Sequence, residues 1–186
     1  IVSRLDVGTS GLMLVCKSDL AYKEMRRQFA EHEVVKTYHA LVQGNLKEDK
    51  ATIEAPIGRA KVSDFRFTVT PTGKEAITHY RLRERFRAHT VLECRLETGR
   101  THQIRVHMAH LKQPIIGDQL YGGALKLPRQ ATDELVAALR GFRRQALHAE
   151  VLEFNHPVTG EAVRCTAPLP ADMQALIAAL RADTIK

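Results

Sequence analysis

Two short segments hold the residue types that could do chemistry. Arg4-Leu5-Asp6-Val7-Gly8-Thr9-Ser10-Gly11 sets an aspartate in a loop of small residues. Thr98-Gly99-Arg100-Thr101-His102-Gln103-Ile104-Arg105-Val106-His107 sets an arginine on a tight turn, ahead of a basic, histidine-rich stretch. A carboxylate brought against a guanidinium in a polar cleft is a nucleophile that stays ionised at neutral pH. Taken alone, an Asp before Gly-Thr-Ser-Gly is more often a turn or cap residue. Arg100 alone reads equally well as a surface arginine or as a fixed guanidinium that pairs bidentately with a carboxylate or phosphate.

Few other residues compete for a catalytic role. No GxGxxG follows a strand, no P-loop is present and no HExxH occurs. Ser10 lacks the GxSxG elbow of a serine hydrolase. His102, His107 and His110 lie close together, but no acidic or cysteine ligand stands beside them. They read as hydrogen-bonding or RNA-facing groups rather than metal ligands. Arg105 lies one turn beyond Arg100, within reach of a backbone phosphate. Tyr38, in Lys36-Thr37-Tyr38-His39-Ala40, reads first as a core aromatic and second as a stacking platform.

These segments need elements to position them. A chain of 186 residues with 44% apolar and 26% charged residues is enough for one globular domain with its own core. It has no apolar run of membrane-spanning length and no secretory signal pattern. Cys16, Cys94 and Cys165 are far apart and form no CxxC pair, so they read as free thiols in a reducing cytoplasm. Lys and Arg number 28 against 21 Asp and Glu, a net charge of +7 that suits a polyanionic partner without proving one. The sequence opens on Ile1-Val2, which reads like the middle of a strand. The expectation is a single domain over 1–186 whose N-terminal part is missing.

Hydrophobic periodicity predicts strands over 11–16, 37–42, 65–70, 77–86 and 91–96, and a hairpin from 147–154 and 161–166 around Pro157-Val158-Thr159-Gly160. Helical spacing predicts a helix after Ser18-Asp19 with Ala21, Met25 and Phe29 inward. A second carries Ile104, Met108 and Leu111 with Thr101 as N-cap. A third is capped by Asp133, and a last one follows Pro170. The fold class is therefore α+β, with a mixed, mostly antiparallel sheet flanked by helices.

Arg-Leu-Asp with Thr-Ser-Gly, then Tyr38 32 residues past Asp6, then Thr-Gly-Arg-Thr-His-Gln-Ile-Arg-Val-His-Met, resembles the RluA-type RNA pseudouridine synthases. Gly117-Asp118-Gln119-Leu120-Tyr121-Gly122, Gln145-Ala146-Leu147-His148-Ala149, His156-Pro157 and Pro168-Leu169-Pro170 extend the match. So do Ala55-Pro56-Ile57-Gly58-Arg59 and Gly73-Lys74-Glu75-Ala76-Ile77-Thr78-His79-Tyr80. The resemblance implies the pseudouridine synthase fold and isomerisation of uridines in RNA, with large-subunit ribosomal RNA as substrate. It implies Asp6 as the catalytic aspartate, Tyr38 as the residue stacked on the base, and Arg100 as the arginine paired with Asp6. Arg4 would fill the gap left by a flipped uridine, Ile104 would line the base pocket, and Arg105 would contact RNA. No metal, small-molecule cofactor or membrane is implied. Ser3 stands where the family usually carries histidine, which implies an altered hydrogen bond in the Asp6 loop.

Two other readings keep the same residues. One is a non-catalytic RNA-binding or ribosome-assembly module that retains the fold. The other is a glycoside or nucleoside hydrolase, which would need a second carboxylate beside Asp6, and none stands at motif spacing.

Overall fold

The computed structural model describes residues 2–61 and 64–185. Ile1, half of the dipeptide read as the middle of a strand, lies outside the described residues, as do Val62 and Ser63 of the hairpin region. In chain order the elements are β1 (Ser10–Gly11), α1 (Asp19–Ala30), β2 (Val35–Gln43), β3 (Lys50–Glu54), β4 (Ile57–Arg59), β5 (Phe67–Val69), β6 (Ile77–Arg85), β7 (His89–Leu96), α2 (Gln103–His110), α3 (Asp133–Gly141), β8 (Leu147–Asn155), β9 (Ala162–Thr166) and α4 (Ala171–Thr184). The main sheet runs β1-β8-β2-β7-β6-β3, with β9 on the β8 edge. β4 and β5 form a separate hairpin. Among the described residues only the β1–β8 pairing is parallel, so the sheet is mixed and mostly antiparallel as expected.

Strands β2 and β7 form the centre. Their register sets Tyr38 opposite Cys94 and Ala40 opposite Leu92, and this apolar face joins Ile104 and Met108 of α2 in the main core. On the other face His39 lies opposite Glu93 and Thr37 opposite Arg95, so that face is polar at this end of the strands. Alternation of side chains across a strand makes this two-faced arrangement from one sequence. Leu135, Leu139, Met173, Leu176, Ile177 and Leu180 of α3 and α4 complete the same core.

Helix α1 starts where the sequence indicates, with Ser18 Oγ accepting the Ala21 N–H at 3.2 Å. Several boundaries move. The strand expected over 11–16 shortens to Ser10–Gly11, because β9 takes the β8 edge from Val151 onward and leaves Leu12 to Cys16 no ladder there. Leu12, Leu14 and Cys16 pack instead against the small core formed by Met25, Val34 and Leu152. The N-cap of α3 is Thr132, which accepts from Leu135 N, with Asp133 in the first turn. Phe65 lies outside β5 and is exposed. The sequence reading missed β3 and β4, segments of five and three residues, although Lys50-Ala51-Thr52-Ile53-Glu54 alternates cleanly.

Two buried histidines make the fold acid-sensitive. His39 and His89 are 9% and 2% exposed. One ring nitrogen of each, Nε2 of His39 and Nδ1 of His89, has no hydrogen-bond partner among the described residues. Burial lowers both pKa values from 6.5 to about 4, and the Arg83 guanidinium adds to the effect at His39. The folded state holds them neutral, so their contribution is complete above the unfolded value and is lost as pH falls from 6.5 toward 4. Each proton bound only by the unfolded chain removes about 1.4 kcal/mol of stability per pH unit. Urea unfolding from pH 7 to pH 4.5 is expected to show a falling midpoint, with a shallower slope in His89→Gln.

Candidate active site

The Asp6 loop is fixed by its geometry and by residues far along the chain. The Asp6 carbonyl accepts the Thr9 N–H at 2.9 Å, closing a turn whose third residue, Gly8, has φ 89°. Gly11 has φ 113°, and a Cβ there would collide with the backbone of Ala149, which β1 approaches in forming its pair with β8. Only glycine meets both demands. Gln145 Nε2 donates to the Val7 carbonyl at 2.8 Å and to Thr9 Oγ1 at 3.0 Å. Arg144, held by Asp172, donates to the Gly8 carbonyl at 2.9 Å. Ser10 Oγ and His148 Nδ1 are 2.8 Å apart. The Gln145-to-Ala149 segment therefore clamps the loop. Ser3, standing where histidine was expected, still ties it down: its Oγ accepts the Leu14 N–H at 3.3 Å.

Tyr38 reaches the loop through the sheet. β1 pairs Gly11 with Ala149, and β2 pairs Tyr38 with Ala149 from the other side. A register shift between Thr37 and Tyr38 leaves Glu150 as an extra residue on β8. Such a bulge redirects the neighbouring side chains. Burial pushes the Tyr38 phenol up to about 12, and the nearby negative charge of Asp6 adds to the shift. The phenol is therefore protonated at neutral pH.

The guanidinium beside Asp6 belongs to Arg105, not to Arg100. Arg105 Nη1 lies 3.5 Å from Asp6 Oδ2. The side chain of Arg105 is 7% exposed, whereas that of Asp6 is 27% exposed, so the acid meets solvent while its partner is enclosed. Arg105 is held from behind by Asp118, with Nε to Oδ2 at 2.7 Å and Nη2 to Oδ1 at 2.9 Å. Burial works against the charge on Arg105, but the Asp118 carboxylate outweighs it and the pKa is raised. For Asp118, burial is likewise outweighed by Arg105 and by the Leu120 and Tyr121 N–H groups, and the pKa is lowered. The Tyr121 ring lies 5.1 Å from the Arg105 guanidinium carbon.

Arg100 points elsewhere because α2 starts later than expected. Its N-cap is His102, with φ 55° and no side-chain capping bond, rather than Thr101. Gln103 closes the preceding turn: its Oε1 accepts from Thr98 Oγ1 and from the Arg100 N–H, and its Nε2 donates to Ile77 and Thr78. Arg100 thus sits in a turn outside the helix, and its Nε donates to the Glu75 carbonyl at 2.6 Å. A signal for Arg105 was present: it is the one cation between Ile104, Val106 and Met108 on a helix otherwise bound for the core. A buried charge of that kind requires a partner, and Gly117-Asp118-Gln119 supplies it.

The other expected residues are placed as follows. Arg4 is exposed on the Asp6 loop. Ile104 is 3% exposed and packs in the main core beside Arg105. His107 is fully buried, with Nδ1 2.8 Å from Thr78 Oγ1 and Nε2 2.9 Å from the Ala55 carbonyl. His102 bonds through Nδ1 to Tyr121 Oη at 2.8 Å, and burial lowers its pKa although the Asp6 charge opposes this. Among the described residues no cluster of His, Cys, Asp and Glu has the shape of a metal site, and no helix is long and apolar enough to cross a membrane.

The chain as a whole is similar to known proteins. A family model described as RNA pseudouridylate synthase matches residues 1–110. Ribosomal large subunit pseudouridine synthase D of Xanthomonas campestris is 58% identical over 186 residues, which is 100% of this chain and 56% of that protein. The protein of the same name from Vibrio cholerae is 49% identical over 183 residues, 98% of this chain and 56% of that one. The chain thus spans about half the length of the curated relatives it matches. Among solved structures, human RNA pseudouridylate synthase domain containing 1 superposes with a TM-score of 0.73 at 27% identity, covering 97% of this chain and 79% of that one. Human RNA pseudouridylate synthase domain containing 4 shares the fold, with a TM-score of 0.78 at 22% identity, covering 97% and 75%.

Removing Asp118 would leave Arg105 buried with only the longer 3.5 Å contact to Asp6. Asp118→Ala is expected to destabilise the fold by about 3–5 kcal/mol, measured by chemical denaturation. Arg181→Gln, which breaks an exposed pair with Glu84, is expected to cost less than about 1 kcal/mol.

Proposed function

The chain belongs to the RNA pseudouridylate synthase family, and from that premise we propose that it converts uridine to pseudouridine in large-subunit ribosomal RNA, in the cytoplasm, with Asp6 as the catalytic aspartate. The observation that carries this reading is the Asp6–Arg105–Asp118 row: a solvent-reaching carboxylate set 3.5 Å from a guanidinium that a buried carboxylate holds still. The relatives named ribosomal large subunit pseudouridine synthase D supply the substrate class.

The reaction breaks the N1–C1′ bond, turns the base and joins C5 to C1′. The C5 hydrogen leaves as a proton and N1 gains one, so the change is balanced without a redox partner. A base inside a helix offers neither its sugar nor both ring faces, so the nucleotide is flipped out of its stack. Asp6 then adds to the base, attacks C1′ or assists departure of the base, and each route needs one positioned carboxylate. Fixing that carboxylate beforehand avoids reorganisation during the reaction. Tyr38, protonated and next to Asp6, stacks on the uracil. Arg4, exposed on the same loop, occupies the gap the uridine leaves. Ile104, one residue before Arg105 on α2, backs the base pocket from the core.

A hydrolytic acid–base pair is disfavoured by Asp118. It is the nearby second carboxylate, but its side chain is fully enclosed and its oxygens are taken by Arg105 and by the Leu120 and Tyr121 N–H groups.

Asp6→Asn in the full-length protein is expected to abolish pseudouridine formation in an unmodified large-subunit rRNA transcript while RNA affinity stays within about twofold. Residual turnover at the wild-type rate would refute the assignment, and release of free uracil would point to hydrolysis instead. Tyr38→Phe is expected to keep most activity. Tyr38→Ala is expected to lose about 1–3 kcal/mol of base stacking, or about 5- to 150-fold in kcat/KM.

A further inference from the structure

His102 carries a hydrogen-bond donor that the chemistry above does not use. It is the N-cap of α2, yet its side chain caps nothing. Its backbone is left-handed, with φ 55° and ψ 26°, a region that a Cβ disfavours. Such conformations persist where the surroundings impose them, and they gather at active sites. Here the surroundings are two rings. The His102 ring meets Phe67 edge-on at 5.8 Å and Tyr121 edge-on at 5.5 Å.

The hydrogen bonds of Tyr121 set which nitrogen of His102 carries the proton. Tyr121 Oη accepts the Phe67 N–H at 2.9 Å and lies 2.8 Å from His102 Nδ1. With the proton on Nδ1, Oη would accept twice and its own hydrogen would have no acceptor among the described residues. With the proton on Nε2, the Tyr121 hydroxyl donates to Nδ1 and both atoms are satisfied. The Nε2–H then has no partner among the described residues and is not enclosed, so it reaches solvent. Burial lowers the His102 pKa from 6.5, so the ring is a neutral donor at neutral pH.

This donor stands beside the Asp6–Arg105 pair. The Tyr121 ring that holds His102 lies 5.1 Å from the Arg105 guanidinium carbon, and Arg105 Nη1 is 3.5 Å from Asp6. The Asp6 charge also acts on the imidazole, opposing the effect of burial. The other donors nearby are committed. All three guanidinium nitrogens of Arg105 face carboxylates, and the Tyr121 hydroxyl goes to His102. A phosphate gains most from a charged donor and is repelled by Asp6. A neutral N–H suits a neutral carbonyl, and uracil offers two, at C2 and C4.

We propose that His102 is a further base-contacting residue: its Nε2–H donates to a carbonyl oxygen of the flipped uracil and helps the site to select that base. The assignment rests on the function proposed above, which brings the uracil to Asp6. A site built to hydrogen-bond its substrate discriminates against a base that lacks the matching group.

The test separates the two ring nitrogens. Asparagine places its amide near the position of Nδ1, and glutamine near that of Nε2. His102→Asn therefore keeps a group for Tyr121 and lacks the outer donor, whereas His102→Gln does the reverse. Both variants of the full-length protein are assayed on large-subunit rRNA transcripts made with UTP, 2-thio-UTP or 4-thio-UTP, sulfur being a weaker acceptor than oxygen. On the UTP transcript His102→Asn is expected to lose about 3- to 10-fold in kcat/KM, the worth of one neutral hydrogen bond, and His102→Gln to recover most of that loss. The penalty the wild-type protein suffers on one of the two thio transcripts should vanish in His102→Asn, and that transcript identifies the oxygen. Circular dichroism melts establish that both variants fold. A loss in His102→Gln as large as in His102→Asn would mark a purely structural bond to Tyr121 and overturn the proposal. So would thio penalties that stay unchanged in His102→Asn on both transcripts. Affinities for the same transcripts report the contact without turnover. If no pseudouridine forms but the affinities follow this pattern, the proposed reaction fails and the contact stands. If pseudouridine forms and the pattern is absent, the contact alone fails.

Discussion

The site depends on one buried cation. Arg105 sits on a core-facing helix, and a guanidinium there is tolerable only if paired and hydrogen-bonded. Asp118 satisfies two of its nitrogens at 2.7 and 2.9 Å, and a third faces Asp6 at 3.5 Å. The closer contacts fix the side chain, and the looser one meets the acid that reaches solvent. Rigidity therefore comes from the enclosed side, and the open side carries the carboxylate that meets solvent. Asp118 also accepts the Leu120 and Tyr121 N–H groups, so the loop after α2 and the charge on α2 are set by the same carboxylate.

The second constraint is backbone proximity. The Asp6 loop and Tyr38 are 32 residues apart in sequence, yet Gly11 and Tyr38 flank the same residue, Ala149, on β8. The parallel β1–β8 pair exists only because Gly11 carries no side chain. Gln145 and Arg144, just before β8, hold the loop that precedes β1. β8 thus serves as the template on which two distant segments meet. The motif Gln145-Ala146-Leu147-His148-Ala149 has a structural reason in this: it carries both the loop clamp and the strand pairing.

Electrostatic matching divides the surface into two kinds. On the polar sheet face, Glu93 and Glu150 neutralise the arginines around them and stitch β6, β7 and β8 together. Around Arg59, Lys74 and Arg100 no such matching occurs. A net charge of +7 is therefore not spread evenly. Part of it gathers at Arg59, Lys74 and Arg100, which line one cleft.

Much of the fold was legible in the sequence. Ser18 caps α1, Met173, Leu176, Ile177 and Leu180 line the inner side of α4, and the hairpin at Pro157 forms where turn residues interrupt two strands. These are local facts, set by 3.6- and 2-residue periods and by capping chemistry. Asp6 was singled out in the sequence because few other residues compete for a catalytic role, and Tyr38 through the family resemblance; the fold brings their two segments to the same residue of β8. The arginine was not. Arg100 and Arg105 are five residues apart in one motif, and which of them faces Asp6 depends on where α2 begins. That start is set by Gln103 reaching back to Thr98, Ile77 and Thr78, and by Asp118 drawing Arg105 inward. All but the first are contacts between distant parts of the chain. Sequence by itself thus determined most of the elements and offered Asp6 as the candidate acid. Tertiary structure decided which cation serves that acid, because a buried charge goes wherever the fold places its counter-charge.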